Sequence, residues 1–201
     1  MRIGVFGGTF DPVHFGHLTT VEAAAVRFRL DRVVYVPARV SPLKGAAPTD
    51  ARHRVAMLAL ALEGRPGWTI GLEELDRDPP SYTVDTLRVL SARHPEAELW
   101  LLMGTDTLAG LARWKEPEEI VRRARIGAFL REPFSGEALR VPEIAGLSQS
   151  LEVFDAGSVK ISASGLREAL ARGESAAGLM PGSVEEYITK HGLYRLETRN
   201  R

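Results

Sequence analysis

Six short apolar runs, each set off from the next by a helical or turn-rich stretch, restrict this chain more than any other feature. They are Arg2–Phe6, Val33–Val36, Trp68–Leu72, Leu99–Met103, Ile126–Leu130 and Leu151–Phe154. Each is four or five residues long and bounded by Gly, Pro or charged residues, the pattern of a strand buried on both faces. Between the first two, Leu18, Val21, Ala25 and Phe28 recur at helical spacing, which predicts a helix over Gly16–Phe28. Further helices are expected over Asp50–Leu62, Ser81–Ala92, Ser164–Ala171 and Ser183–Lys190, the last opened by a Ser183-x-x-Glu186 capping box and closed by Gly192. Buried strands that alternate with helices of this length predict an α/β fold, a doubly wound parallel sheet. The C-terminal helices over about 162–194 belong to the same expected single domain, residues 1–201. Residues 133–150 carry no assignable pattern.

In such a sheet, ligands bind beyond the carboxyl ends of the strands. The segments to inspect are therefore Gly7–His17, Pro37–Lys44, Gly104–Asp106 and Arg131-Glu132. At 201 residues the chain can bury about 70 % of its unfolded surface and needs no disulfide or metal staple. It has no cysteine, which excludes thiol catalysis and cysteine-based metal sites. Its 26 basic and 26 acidic side chains balance, which argues against a protein built to coat nucleic acid. The longest apolar run, Val55–Leu62, is far below the ~18 residues of a membrane span. A cytoplasmic protein without membrane or nucleic-acid partners is expected, and the sequence is compatible with a homo-oligomer.

The first of these segments reads Gly7-Gly8-Thr9-Phe10-Asp11-Pro12-Val13-His14-Phe15-Gly16-His17. Two glycines at the end of a strand let the backbone turn and come close to a ligand. His14 and His17, three apart where a helix begins, can share one face. The positive end of that helix attracts anions, so two imidazoles there suit a polyphosphate, with Gly16 leaving room for a nucleotide. The spacing G-x-G-x-x-G is absent, which argues against a nicotinamide-dependent dehydrogenase, and the Walker spacing is absent as well. Near the other end stands Ile161-Ser162-Ala163-Ser164-Gly165-Leu166-Arg167. Ser162 or Ser164 can cap a helix whose N-terminus, with both hydroxyls and Arg167, can hold a triphosphate tail. An ordinary N-cap with a solvated arginine satisfies the same pattern taken alone.

Together, Gly8-x-Phe10-x-x-x-His14-x-Gly16-His17 and Ile161-Ser162-x-Ser164-x-x-Arg167 resemble the two motifs of the nucleotidylyltransferase superfamily, over nearly the whole chain. That resemblance implies a Rossmann-like fold. Three further blocks resemble those of the bacterial nicotinate-nucleotide adenylyltransferases: Pro80-Ser81-Tyr82-Thr83, Gly104-Thr105-Asp106-Thr107-Leu108 with Trp114, and Pro181 through Tyr194.

The resemblance implies ATP and nicotinate mononucleotide as substrates, with Mg²⁺ carried by the ATP phosphates. It implies that Gly7, Gly8, Thr9, Phe10, Gly16, Gly104, Asp106, Ser162 and Ser164 form the ATP site. His14, His17, Lys44 and Arg167 are then the catalytic, phosphate-handling residues. Tyr82, Thr83, Trp114 and Arg131 are implied for the mononucleotide. Backbone N–H groups around Tyr82 and Thr83 could receive a pyridine carboxylate and Trp114 could stack on its ring. Trp68 and Trp100 are expected in the core. At Ser41-Pro42-Leu43-Lys44 the family commonly has Pro-Pro-His-Lys, so Leu43 stands where an imidazole is usual. His53, His94 and His191 lie outside any motif and are expected to be structural or exposed. The alternatives are the same chemistry on nicotinamide mononucleotide or on phosphopantetheine, and a non-catalytic nucleotide sensor.

Overall fold

The computed structural model describes residues 1–39, 49–130, 139–157 and 161–195. Its centre is a six-stranded sheet, all pairs parallel: β1 (Arg2–Gly8), β2 (Arg32–Pro37), β3 (Trp68–Ile70), β4 (Glu98–Gly104), β5 (Ala124–Leu130) and β6 (Leu151–Asp155). The spatial order is β3-β2-β1-β4-β5-β6. The chain winds outward from β1 in one direction and then from β4 in the other, as in the Rossmann arrangement. The direction reverses between β1 and β4, so a crevice opens beyond their carboxyl ends.

The helices are α1 (Phe15–Phe28), α2 (Ala51–Leu62), α3 (Thr83–Arg93), α4 (Thr105–Leu108), α5 (Pro117–Arg123), α6 (Leu147–Ser150), α7 (Ala163–Ala171) and α8 (Gly182–Lys190), with a 3₁₀ turn at Leu111–Arg113. Strand side chains alternate between faces, and each face has its own core. Phe6, Val33, Tyr35, Trp100, Leu102 and Phe129 pack with α1, α2, α7 and α8. Ile3, Val5, Val34, Leu101, Ile126 and Ala128 pack with α3, α5 and the turns after β4. Trp100 is buried as expected, stacked on Phe28 with 4.2 Å between centroids. Gly127 makes room for that stack: a Cβ there would lie 2.7 Å from the Phe28 ring.

Three expectations need correction. β1 runs on through Gly7 and Gly8, which pair with Val36 and Pro37, because ladder hydrogen bonds need no side chain. α8 begins after Pro181 and has no Ser183 cap; Glu185, not Glu186, reaches back to accept the N–H of Ala176 at 3.0 Å. Ala24, not Ala25, is the buried alanine of α1. Helix α5 was not anticipated, although Pro117 at its start, Glu118 and Glu119 in its first turn and Arg122 and Arg123 in its last are the signals of a short helix. Among the described residues no helix is long and apolar enough to cross a membrane.

Candidate active site

Beyond Gly8 the chain turns sharply: Phe10 has φ +51° and is 1 % exposed, its ring driven under the loop. There it meets His17 edge-on at 5.2 Å between centroids. Phe10 therefore serves the site as a floor beneath His17, with its side chain out of a ligand's reach. The Phe10 ring also explains Gly8, because a Cβ on Gly8 would approach it to 2.9 Å. A Cβ on Gly7 would meet open space, and Gly7 is exposed at the end of the central strand. A ligand can come against the backbone here.

His14 is the N-cap of α1 and His17 sits in its first turn. Their rings stack with centroids 3.7 Å apart and planes inclined by 30°. His14 is buried, and His17 is partly exposed. His17 Nδ1 accepts the backbone N–H of His14 at 3.3 Å, the place a Glu or Gln takes in a capping box. A neutral imidazole that accepts through Nδ1 carries its hydrogen on Nε2, so Nε2 is the donor it offers. The helix end is less open than the sequence suggests. The N–H of Phe15 is already donated to Leu179 O at 3.0 Å, so the side chains carry more of the anion-binding capacity.

The structure brings the two motifs together. A Cβ on Gly16 would lie 3.0 Å from Cε1 and Nδ1 of His14 and 3.7 Å from Cβ of Ile161. Ser162 caps α7, its Oγ accepting the N–H of Gly165 at 3.1 Å and lying 3.4 Å from Oγ of Ser164. Both serines are exposed. Arg167 Nη1 donates to Asp11 O at 2.7 Å, so the guanidinium is anchored on the histidine loop itself.

Gly104 ends β4, beside β1 in the sheet, and Asp106 is exposed in the first turn of α4. Gly104 and not Asp106 is the N-cap, which removes the capping explanation for that carboxylate. α3 starts at the same edge, because it follows β3, with Tyr82 as its N-cap. Trp114 follows the 3₁₀ turn after β4, and both Tyr82 and Trp114 are partly buried against the same core. Lys115 binds the two elements: its Nζ lies 4.7 Å from the Tyr82 ring centroid and 3.1 Å from Asp85 Oδ2. Burial pulls the Asp85 carboxyl upward, but hydrogen bonds from Lys115 and Arg88 outweigh it and leave the group below the ordinary carboxylate range. Sequence reasoning missed Lys115, though its place beside Trp114 was the signal.

Lys44, Leu43 and Arg131 lie outside the described residues. Among the described residues no group of three or more His, Asp or Glu side chains is placed to hold a metal ion. His53 packs on α8 with Nδ1 2.9 Å from the Tyr187 hydroxyl.

The fold and this site define a nucleotidyltransferase class. Residues 5–169 match the family model described as cytidylyltransferase-like. Two relatives, from Thermomicrobium roseum and Thermus thermophilus, are both named "Probable nicotinate-nucleotide adenylyltransferase". The first is 39 % identical over 196 residues, 96 % of this chain and 92 % of that one. The second is 40 % identical over 196 residues, 97 % of this chain and 100 % of that one. The Plasmodium falciparum nicotinic acid mononucleotide adenylyltransferase, solved in complex with NaAD, superposes with a TM-score of 0.74 over 96 % of this chain and 97 % of that one. At 19 % identity that likeness speaks for the fold. The chain belongs to the cytidylyltransferase-like family and, within it, to the nicotinate-nucleotide adenylyltransferases.

Proposed function

We propose that this site transfers the adenylyl group of ATP to nicotinate mononucleotide, giving deamido-NAD and pyrophosphate, a step of NAD biosynthesis. The stacked His14–His17 pair carries the reading, because it stands with Ser162, Ser164 and Arg167 at the carboxyl end of the central strand. Relatives named for this activity and a neighbour solved with NaAD support it.

The acceptor's 5′-phosphate is already an anion near neutrality, since the second pKa of a phosphate monoester is about 6. It needs no general base to attack the α-phosphorus. The new P–O bond forms in line as the bond to the pyrophosphate oxygen breaks, and pyrophosphate leaves with the electron pair. Catalysis then consists of alignment and of stabilising charge on the transferring phosphorus. His17, through Nε2, and His14 serve the ATP phosphates, with Lys44 assisting. Ser162, Ser164 and Arg167 hold the departing pyrophosphate. Gly7, Gly8, Thr9 and Gly16 let the nucleotide approach the backbone, while Gly104 and Asp106 meet its ribose. Mg²⁺ carried by the substrate ATP would supply charge neutralisation at the phosphates that His14, His17 and Lys44 serve. On the mononucleotide side, Thr83 and its neighbours at the start of α3 receive the pyridine carboxylate, Trp114 stacks on the ring and Arg131 takes the phosphate. Lys115, paired with Asp85, holds the Tyr82 ring in place at the start of α3. The enzyme acts on small molecules in the cytoplasm.

The test is pyrophosphate release with MgATP and, side by side, nicotinate mononucleotide, nicotinamide mononucleotide and phosphopantetheine. A strong preference for the acid is expected. Equal rates with acid and amide would remove the carboxylate pocket, and turnover of phosphopantetheine alone would overturn the substrate.

A further inference from the structure

Beneath the histidine loop lies a buried hydrogen-bond network that the transfer reaction does not itself call for. Asp11, 5 % exposed, sits midway between Gly8 and His14. One of its carboxylate oxygens accepts the Tyr194 hydroxyl at 2.6 Å and the other accepts the N–H of Thr49 at 3.1 Å. Its backbone carbonyl takes Nη1 of Arg167 at 2.7 Å. Arg54, 1 % exposed, closes the network from α2, with Nη1 donating to Thr9 O at 2.8 Å and Nε to Thr49 O at 2.9 Å. A buried arginine is expensive unless its donors are used, and here they fasten the two ends of the loop's support.

Asp11 is thus touched by three distant parts of the chain through three different atoms. Two of those atoms belong to the carboxylate and the third is the carbonyl that holds Arg167. We propose that Tyr194 is a positioning residue for the adenylyl transfer. By fixing the Asp11 carboxylate it sets the turn that presents His14 and His17, and through the Asp11 carbonyl it sets Arg167, so that the groups serving the ATP phosphates and the departing pyrophosphate share one anchor. Tyr194 is suited to this. It stands at φ +65° in the turn that follows α8, and its hydroxyl reaches Asp11 from there. Burial, with the hydrogen bond to Asp11 and its charge adding to it, pushes the hydroxyl's pKa upward, so it stays a donor throughout the working range of pH. The inference rests on the transfer reaction proposed above.

The experiment uses the whole chain with Tyr194→Phe, which keeps the ring and removes the one donor. Two readouts are taken: kcat and KM for pyrophosphate release, and the ring ¹⁵N resonances of His14 and His17 without substrate. A misaligned site loses transition-state contacts more than ground-state ones. The expected result is a kcat lowered about tenfold or more with the KM for ATP changed less than threefold, and shifted His14 and His17 resonances. A merely structural role would instead lower the melting temperature and leave kcat per folded molecule intact. Should the Phe variant not fold, Asp11→Asn, which leaves an amide unable to accept on both sides, is expected to show the same split. If both fold, the double variant is expected to lose little more than either single one. A kcat within twofold of the parent together with unmoved histidine resonances would overturn the inference. The parent's own turnover tests the substrate reading separately, and the resonances report on the anchor whichever substrate is correct.

Discussion

The imidazole of His14 lies flat against that of His17, 3.7 Å between centroids, and the contact is made possible by the residue between them. Gly16 carries no Cβ, and the space one would take is filled by the His14 ring on one side and Ile161 on the other. A glycine in the first turn of a helix is usually a weakness; here it is the condition for the histidine pair and the second motif to meet.

Replacing Gly16 with Ala puts a methyl group 3.0 Å from Cε1 and Nδ1 of His14. Alanine is the better helix former, which offsets part of the cost of moving the buried His14 ring, so the melting temperature is expected to change by only a few degrees. The displaced ring should cost at least about tenfold in kcat, since an ångström of misplacement can cost on the order of 10²-fold. Calorimetry and steady-state pyrophosphate release on the same preparation decide it; full activity would mean the stack is incidental.

His17→Ala removes the more accessible imidazole and its Nε2 donor. Loss of one preorganised donor at a transition state costs roughly 10²–10³ in kcat, and a loss of that order is expected. Turnover within a few-fold of the parent would show that His17 does not touch the reacting phosphates.

Trp114→Ala should separate the two substrates. If the indole stacks on the pyridine, KM for the mononucleotide rises about ten- to a hundredfold, as for other ring-on-base contacts, while KM for ATP stays within twofold. Equal changes in both constants would place Trp114 in the core alone.

Glu74, 8 % exposed, offers a test by pH. Burial raises its pKa, opposed by a hydrogen bond from Thr86 at 3.1 Å and by the charge of Arg77. A carboxyl whose pKa is higher folded than unfolded contributes its stability below the unfolded value, near 4.3, and loses it as pH climbs through the folded value. Glu74→Gln, which has no proton to lose, is therefore expected to gain stability relative to the parent as pH rises from 4 toward 7 and then level off. Urea midpoints across that range measure it; a gap that narrows with pH would reverse the sign.

Gly127→Ala forces a Cβ to 2.7 Å from Phe28 and 2.9 Å from Leu102, in the core that α1 covers. Overpacking of this kind costs about 1–3 kcal/mol. The melting temperature should fall by several degrees with kcat below the transition unchanged.

Much of this was legible in the residues. The unbroken apolar runs at Leu99–Met103 and Ile126–Leu130 predict buried strands because both faces of a parallel sheet are covered, and β4 and β5 lie there. The histidine pair and Ser162 were visible because a motif at a helix start is local: its geometry follows from spacing. Arg54 and Asp11 were not visible as partners. Nothing in the pattern around Arg54, a charged residue at the head of the apolar run Val55–Leu62, distinguishes a solvated arginine from one buried under a loop 45 positions earlier. α4 and the 3₁₀ turn escaped because three or four residues cannot display a period. The capping box at Ser183 failed because the backbone at Pro181 had already set the helix start one residue earlier.

The loop that carries His14 and His17 is held by bonds to Arg167 and Tyr194, which lie 156 and 183 positions from Asp11. Contacts this remote in sequence are formed late in folding, because the chain entropy they cost is not recovered until the sheet is in place. They are also single hydrogen bonds, whereas the strands are locked into two cores. Under mild denaturant the enzyme should then pass through a form with its sheet intact and its chemistry gone. A cell under heat stress would lose dinucleotide synthesis before it lost the protein, and would regain it on recovery without making new chains.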